Sequence, residues 1–233
     1  MAYVIAPPPV AAVAIAGSDD EFPVNRVYCV GRNYADHARE MGHDPDREPP
    51  FFFAKAPENL VAASELDGGG DFPYPSQTQD VHHEIELVVA LKSGGADIPE
   101  TQALDHVWGY GVGVDMTRRD LQGEAKKMGR PWDVGKAFDH AAPIGRLHAA
   151  SDIGHPSQGR VWLEINGELR QEGDLNQLIW NIPETIAYLS GLFTLRAGDL
   201  IYSGTPAGVG PVTKGDVLTG RVEGLSGVKV TVT

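Results

Sequence analysis

Two glutamates set two residues apart inside an apolar run, His83-Glu84-Ile85-Glu86-Leu87-Val88-Val89, constrain this chain more than any other stretch. The run predicts a strand over His83 to Leu91. Side chains alternate faces along a strand, so Glu84 and Glu86 share one face with Val88 and Ala90. An ionised carboxylate on a largely apolar face is costly unless it is paired, hydrogen-bonded or bound to a cation. Neighbouring carboxylates also repel each other. A divalent metal relieves both penalties, so the pair reads as half of an oxygen-ligand metal site. The alternative is a strand edge that faces solvent.

Asp115 supplies a third candidate ligand, at the end of the Gly-spaced apolar strand Val107 to Val114, where a carboxylate can project into a cleft. Glu84, Glu86 and Asp115 would leave other coordination positions open for water or substrate. An all-oxygen set points to a hard cation, Mg²⁺ or Mn²⁺, rather than zinc. His37 and Glu40 stand at i and i+3 of a short helix expected over Tyr34 to Met41, with Asn33 as its N-cap and Gly42 at its end. An imidazole held by a carboxylate can take a proton from water, although His and Glu at this spacing also occur on solvated helices.

The remaining organisation is mostly β. Strands are expected around Val10 to Ile15, Arg26 to Val30, Val161 to Ile165, Leu200 to Ser203 and Val228 to Val232. The 28 glycines and 17 prolines favour turns and short strands. Thr117 with Asp120 resembles a capping box for a helix closed by Gly129, with Leu121, Ala125 and Met128 as its buried face. Asn181-Ile182-Pro183-Glu184 opens another helix, buried through Ile182, Ile186 and Leu189. Strand and helix do not alternate regularly, which argues against a Rossmann or TIM topology. Residues 1–25 read as a lead-in strand and turn, and 26–233 as the main domain.

Further polar residues could serve an anionic substrate. Lys55 follows the aromatic block Phe51-Phe52-Phe53, and Lys136 ends Gly129 to Lys136; each is more often a surface lysine. Arg119 and Gln122 share a helix face at i and i+3, aiming a cation and an amide near the metal site. In Ser203-Gly204-Thr205-Pro206, backbone amides and a hydroxyl can hold a carboxylate.

The net charge of −13 argues against a nucleic-acid partner, which needs clustered Lys and Arg. No apolar segment approaches the length of a membrane span. The apolar start contains Pro7-Pro8-Pro9 and has no Lys or Arg before Arg26, unlike a secretory signal. The single cysteine, Cys29, excludes an internal disulfide framework and reads as a small core side chain in a reducing compartment. The expected location is cytoplasmic.

In this order the segments resemble the fumarylacetoacetate hydrolase family. The matching stretches are Tyr28 to Tyr34 with His37 and Glu40, His83 to Glu86, Gly113 to Thr117 with Arg119 to Gln122, Gly135-Lys136, Asn166-Gly167-Glu168 and the Gly204 to Gly210 turn. The likeness is greatest to the fumarylpyruvate hydrolase and acylpyruvase branch. It implies an α+β, mostly β fold, a mixed β-sandwich roll with a few short helices, and a homodimer carrying Mg²⁺ or Mn²⁺. It further implies metal ligands at Glu84, Glu86 and Asp115 and a water-activating dyad at His37 and Glu40. Lys136 and Lys55 would face the substrate's oxygens, and Arg119, Gln122, Gly204 and Thr205 would hold its pyruvyl end. The implied reaction is hydrolysis of a small 2,4-diketo acid, fumarylpyruvate to fumarate and pyruvate, as in gentisate breakdown. Decarboxylation of oxaloacetate, isomerisation of an unsaturated hydroxy-diacid, or structural Ca²⁺ binding are the competing expectations.

Overall fold

Ile85–Leu91 is buried at all of its positions, and this double-sided burial organises the molecule. Ile85, Leu87, Val89 and Leu91 enter one hydrophobic core. Val88 and Ala90, on the opposite face, enter a second core with Val27, Cys29 and Tyr202. The period-2 alternation expected of a strand is therefore satisfied on both faces at once. The structure is a computed structural model that describes residues 3–35 and 48–233. The expected helix over Tyr34 to Met41, with His37 and Glu40, lies outside the described residues apart from its first two positions.

Ile85–Leu91 sits in an eight-stranded mixed sheet. On one side Asp199–Tyr202 separates it from Arg26–Gly31 and Phe51–Lys55. On the other come Val107–Val114, Ala142–Ile144 and Leu60–Ala62, with His148–Ala149 also paired to Val107–Val114. A second sheet of five strands runs in the order Glu168–Asp174, Arg160–Ile165, Val217–Val222, Val228–Val232 and Gly70–Phe72. Its Val161, Leu163, Leu218, Val222 and Val230 share the larger core with Ile85, Leu87 and Val89. Two sheets meeting through interdigitated apolar faces make the expected mixed β-sandwich. Ile182, Ile186 and Leu189 of the helix Ile182–Leu192 join that core, and Asn181 closes a capping box with Glu184.

Two local expectations differ from the structure. The strand expected over His83 to Leu91 is broken at Glu84: Val81–His83 belongs to a three-stranded sheet with Thr117–Arg118 and Gly210–Val212. At the break the Ile85 amide donates to the Gln171 side chain at 3.0 Å, so a buried glutamine replaces one step of the ladder. The second difference concerns the helix that begins after Asp115. It spans Arg119–Met128 with no side-chain cap, because Thr117 is held in its strand opposite His82. Asp120 accepts from the Thr78 hydroxyl at 2.6 Å and the Gln79 amide at 3.0 Å instead. Gln122 and Ala125 form the buried face, whereas Met128 is exposed. Polar Gln122 is turned inward because the helix packs over a polar cleft. Among the described residues no helix is long and apolar enough to cross a membrane.

Candidate metal and substrate site

The ladder between Ile85–Leu91 and Val107–Val114 assembles the acids. Ile85 lies opposite Val114 and Glu86 opposite Gly113. One step further, the Asp115 amide donates to the Glu84 carbonyl at 2.8 Å. Opposed residues of an antiparallel pair project to the same face. Asp115 therefore joins Glu84 and Glu86, and ligand oxygens from the three buried residues lie within 4.8 Å of one another.

Three cations stand among them. Lys136 Nζ donates to Glu84 Oε2 at 2.8 Å and to Asp115 Oδ2 at 2.7 Å. Arg119 donates to Glu84 Oε1, and to Gln122 Oε1 at 2.8 Å. Lys55 donates to the Met116 carbonyl at 3.2 Å and to the Lys136 carbonyl. Its ammonium is also 2.8 Å from Asp115 Oδ1, an ionic contact rather than a directed hydrogen bond, since Oδ1 accepts none. Of the two readings open for Lys55 and Lys136, a group facing substrate or a surface lysine, burial removes the second: each is 2% exposed. Their ammonium groups also stand over aromatic rings, with Lys136 Nζ 4.9 Å from the Phe53 centroid and Lys55 Nζ 5.7 Å from that of Phe138. Buried ammonium groups are tolerable only where acids meet them.

Charge is unevenly settled within the cage. Burial, and then the charges of Asp115 and Glu84, raise Glu86 well above the ordinary carboxylate pKa. Burial alone would lower the Lys136 ammonium, but Asp115 and Glu84 outweigh it and hold its pKa above the usual value. Glu86 accepts from the Gly204 amide at 2.7 Å and has no cation in ion-pair contact among the described residues. Glu86, without a cation in contact among the described residues, joins the carboxylates of Glu84 and Asp115 in a set of hard oxygen donors that fits a small divalent cation.

The turn after Asp199–Tyr202 completes the floor. The sequence reading expected exposed amides there, but the Gly204 amide is committed to Glu86 and is not free for substrate. Gly204 has φ +101°, and a Cβ there would lie 2.7 Å from that of Asn33. Asn33 holds the turn by donating to the Ser203 carbonyl at 2.8 Å and the Trp180 carbonyl at 2.9 Å. Thr205 is buried, and its hydroxyl oxygen accepts from Gln171 Nε2 at 2.8 Å, leaving its own O–H to donate. Gln171 carries no motif in sequence, yet it joins Thr205, His83 and Ile85.

Glu84, Glu86, Arg119, Gln122, Lys136 and Thr205 line one cleft. Half-buried Arg32, Phe51, Lys126 and Trp132 form its outer wall; sequence reasoning passed over all four as site residues. Arg32 adopts φ +56°, a left-handed conformation that costs a non-glycine residue about 1 kcal/mol. His37 and Glu40 lie outside the described residues, so the cleft is described without them.

The model of the fumarylacetoacetate (FAA) hydrolase C-terminal family matches residues 26–233. The chain belongs to this family. Among solved structures it is similar to fumarylpyruvate hydrolase from Pseudomonas aeruginosa, crystallised with Mn²⁺ and pyruvate: 54% identity, TM-score 0.96, covering 100% of this chain and 99% of that one. It is also similar to a mitochondrial oxaloacetate tautomerase of Arabidopsis thaliana, 39% identical over 204 residues, covering 88% of this chain and 89% of the relative. A mitochondrial oxaloacetate decarboxylase of Dictyostelium discoideum is 40% identical over 200 residues, covering 86% of this chain and 89% of the relative. The FAA hydrolase family is thus a family of enzymes with more than one named reaction.

Proposed function

We propose that this FAA hydrolase family member is a divalent-metal-dependent hydrolase of 2,4-diketo acids, cleaving fumarylpyruvate to fumarate and pyruvate. The observation that carries the reading is the buried triad of Glu84, Glu86 and Asp115 with cationic and amide groups facing the same cleft. Support for the substrate comes from the likeness to the Mn²⁺- and pyruvate-bound fumarylpyruvate hydrolase. Glu84, Glu86 and Asp115 would hold Mg²⁺ or Mn²⁺, which when bound supplies Lewis-acid polarisation of the keto oxygen and charge stabilisation of an enolate.

The chain's own groups do the rest. Arg119, Gln122 and the Thr205 hydroxyl bind the pyruvyl carboxylate. His37, oriented by Glu40, takes a proton from water, whose oxygen adds to the distal carbonyl carbon. Collapse of the adduct restores a carboxyl group and breaks the carbon–carbon bond. The electron pair passes to the pyruvyl fragment as an enolate beside the Lys136 ammonium, which offsets the developing negative charge. Protonation of the enolate carbon yields pyruvate. We infer a homodimer from the family likeness and a reducing, cytoplasmic compartment from the single cysteine; light scattering that returned a monomer mass would remove the dimer.

A second reading is tautomerisation or decarboxylation of oxaloacetate, favoured by the names of the 39% and 40% identical relatives. The test is a panel of fumarylpyruvate, acetylpyruvate and oxaloacetate with Mn²⁺-loaded protein, followed by loss of diketo-enol absorbance and product analysis. Fumarate with pyruvate is the expected product pair. Oxaloacetate turnover with no cleavage of either acylpyruvate overturns hydrolysis in favour of the second reading.

A further inference from the structure

The outer wall of the cleft carries two cations that neither the acid triad nor the pyruvyl contacts use. The Arg32 guanidinium lies 5.3 Å from the Phe51 ring centroid, and the Lys126 ammonium 4.9 Å from that of Trp132. The two rings meet edge to face, their centroids 5.2 Å apart. Neither cation forms an ion pair with an acid among the described residues. An unpaired cation held over an aromatic face retains most of its capacity to bind an anion.

Their placement relative to the inner end follows from helix geometry. Arg119, Gln122 and Lys126 are at i, i+3 and i+7 on Arg119–Met128, so they share one face. Lys126 stands about 10 Å along the axis from Arg119. An acyl arm that starts at the carbonyl beside Lys136 and runs outward passes Phe51 and Trp132 and reaches Arg32 and Lys126. We propose that Arg32 and Lys126 form a second anion subsite, which holds a carboxylate at the far end of the acyl group and selects acylpyruvates with a dianionic, dicarboxylate skeleton.

Two observations add to this geometry. Burial, followed by the like charges of Arg119 and Arg32, lowers the Lys126 pKa to about 8, a like-charge crowding that a bound carboxylate relieves. Arg32 keeps its left-handed backbone at φ +56° although glycine would take that conformation without strain. A guanidinium needed at that position accounts for a side chain on so strained a backbone.

The inference rests on the acylpyruvate reading, and the experiment separates their failures. Wild type, Lys126→Met and Arg32→Gln are loaded with Mn²⁺ and assayed on fumarylpyruvate and acetylpyruvate, which share the pyruvyl head but differ in the distal carboxylate. The ratio of kcat/KM values, fumarylpyruvate over acetylpyruvate, is expected to fall at least tenfold in each variant; an unchanged ratio overturns the subsite. Independently of turnover, calorimetry of the Mn²⁺- and pyruvate-loaded wild type compares fumarate with crotonate, which has one carboxylate fewer. Fumarate is expected to bind at least tenfold more tightly, and to lose that advantage in Lys126→Met. Equal affinities in the wild type overturn the subsite even if a variant fails to fold. If no acylpyruvate is cleaved, the hydrolase reading falls and the calorimetry still decides the subsite.

Discussion

At the scale of single residues, Lys136 is the group on which most of the site converges. It touches Glu84 and Asp115 directly and stands where the developing enolate would lie. Lys136→Met removes a preorganised positive charge from a dry site, and a loss of about 10²–10³-fold in kcat is expected, the range for losing one charge-stabilising donor. Steady-state kinetics with saturating Mn²⁺ checks it, and a change confined to KM would contradict the assignment. Lys126 offers a pH signature. With its pKa lowered to about 8, it is charged at pH 7 and neutral by pH 9. Affinity for fumarate should therefore fall as the pH rises through about 8, and the fall should be absent in Lys126→Met. The charged groups around it are Arg119, Arg32, Glu84 and Lys136. Calorimetry at pH 7 and pH 9 measures the difference.

At the scale of elements, what was readable in the sequence and what was not divide along physical lines. Strand alternation is a local rule, so Glu84 and Glu86 could be placed on one face before any coordinates. That Asp115 joins them on that face depends on the antiparallel register of Ile85–Leu91 with Val107–Val114, which the structure supplies. Asn181 with Glu184, and Pro183 between them, specifies its helix through contacts three residues apart. The burial of Lys55 and Lys136 had no such local signal, because it depends on acids distant in sequence, Asp115 for Lys55 and Glu84 for Lys136, meeting them in space. The misplaced capping box at Thr117 failed because strand pairing with His82 claimed that residue first. Gly109, Gly111 and Gly113 recur on one face of Val107–Val114, and the structure gives each a reason. Added Cβ atoms would lie 2.1 Å from the His148 carbonyl oxygen, 2.9 Å from Leu147 and 2.6 Å from Tyr202. For the helix Ile182–Leu192, removing the cap in Asn181→Ala should cost about 1 kcal/mol. In a chain of this size that lowers Tm by about 2–4 °C, with kcat unchanged, as calorimetry and an activity assay would show.

At the scale of the whole molecule, the acid cage couples ion binding to folding. The unfolded chain does not bring Glu84, Glu86 and Asp115 together, so an ion that binds only the native state stabilises it. At a free Mn²⁺ concentration one hundred times Kd the gain is about 2.7 kcal/mol, enough to raise Tm by several degrees. Differential scanning calorimetry with Mn²⁺ and with EDTA should show that shift in the wild type and its loss in Asp115→Asn. No shift in the wild type would remove the triad as an ion site.

Cys29 gives this coupling a chemical readout. It is fully buried in Arg26–Gly31, between Phe51–Lys55 and Asp199–Tyr202, and burial pushes its thiol well above the ordinary value. An aromatic disulfide reagent that requires a thiolate will find no target until those strands separate. Labelling kinetics of one sulfhydryl thus track how often the central sheet opens, and occupancy of the cage by Mn²⁺ should slow the modification.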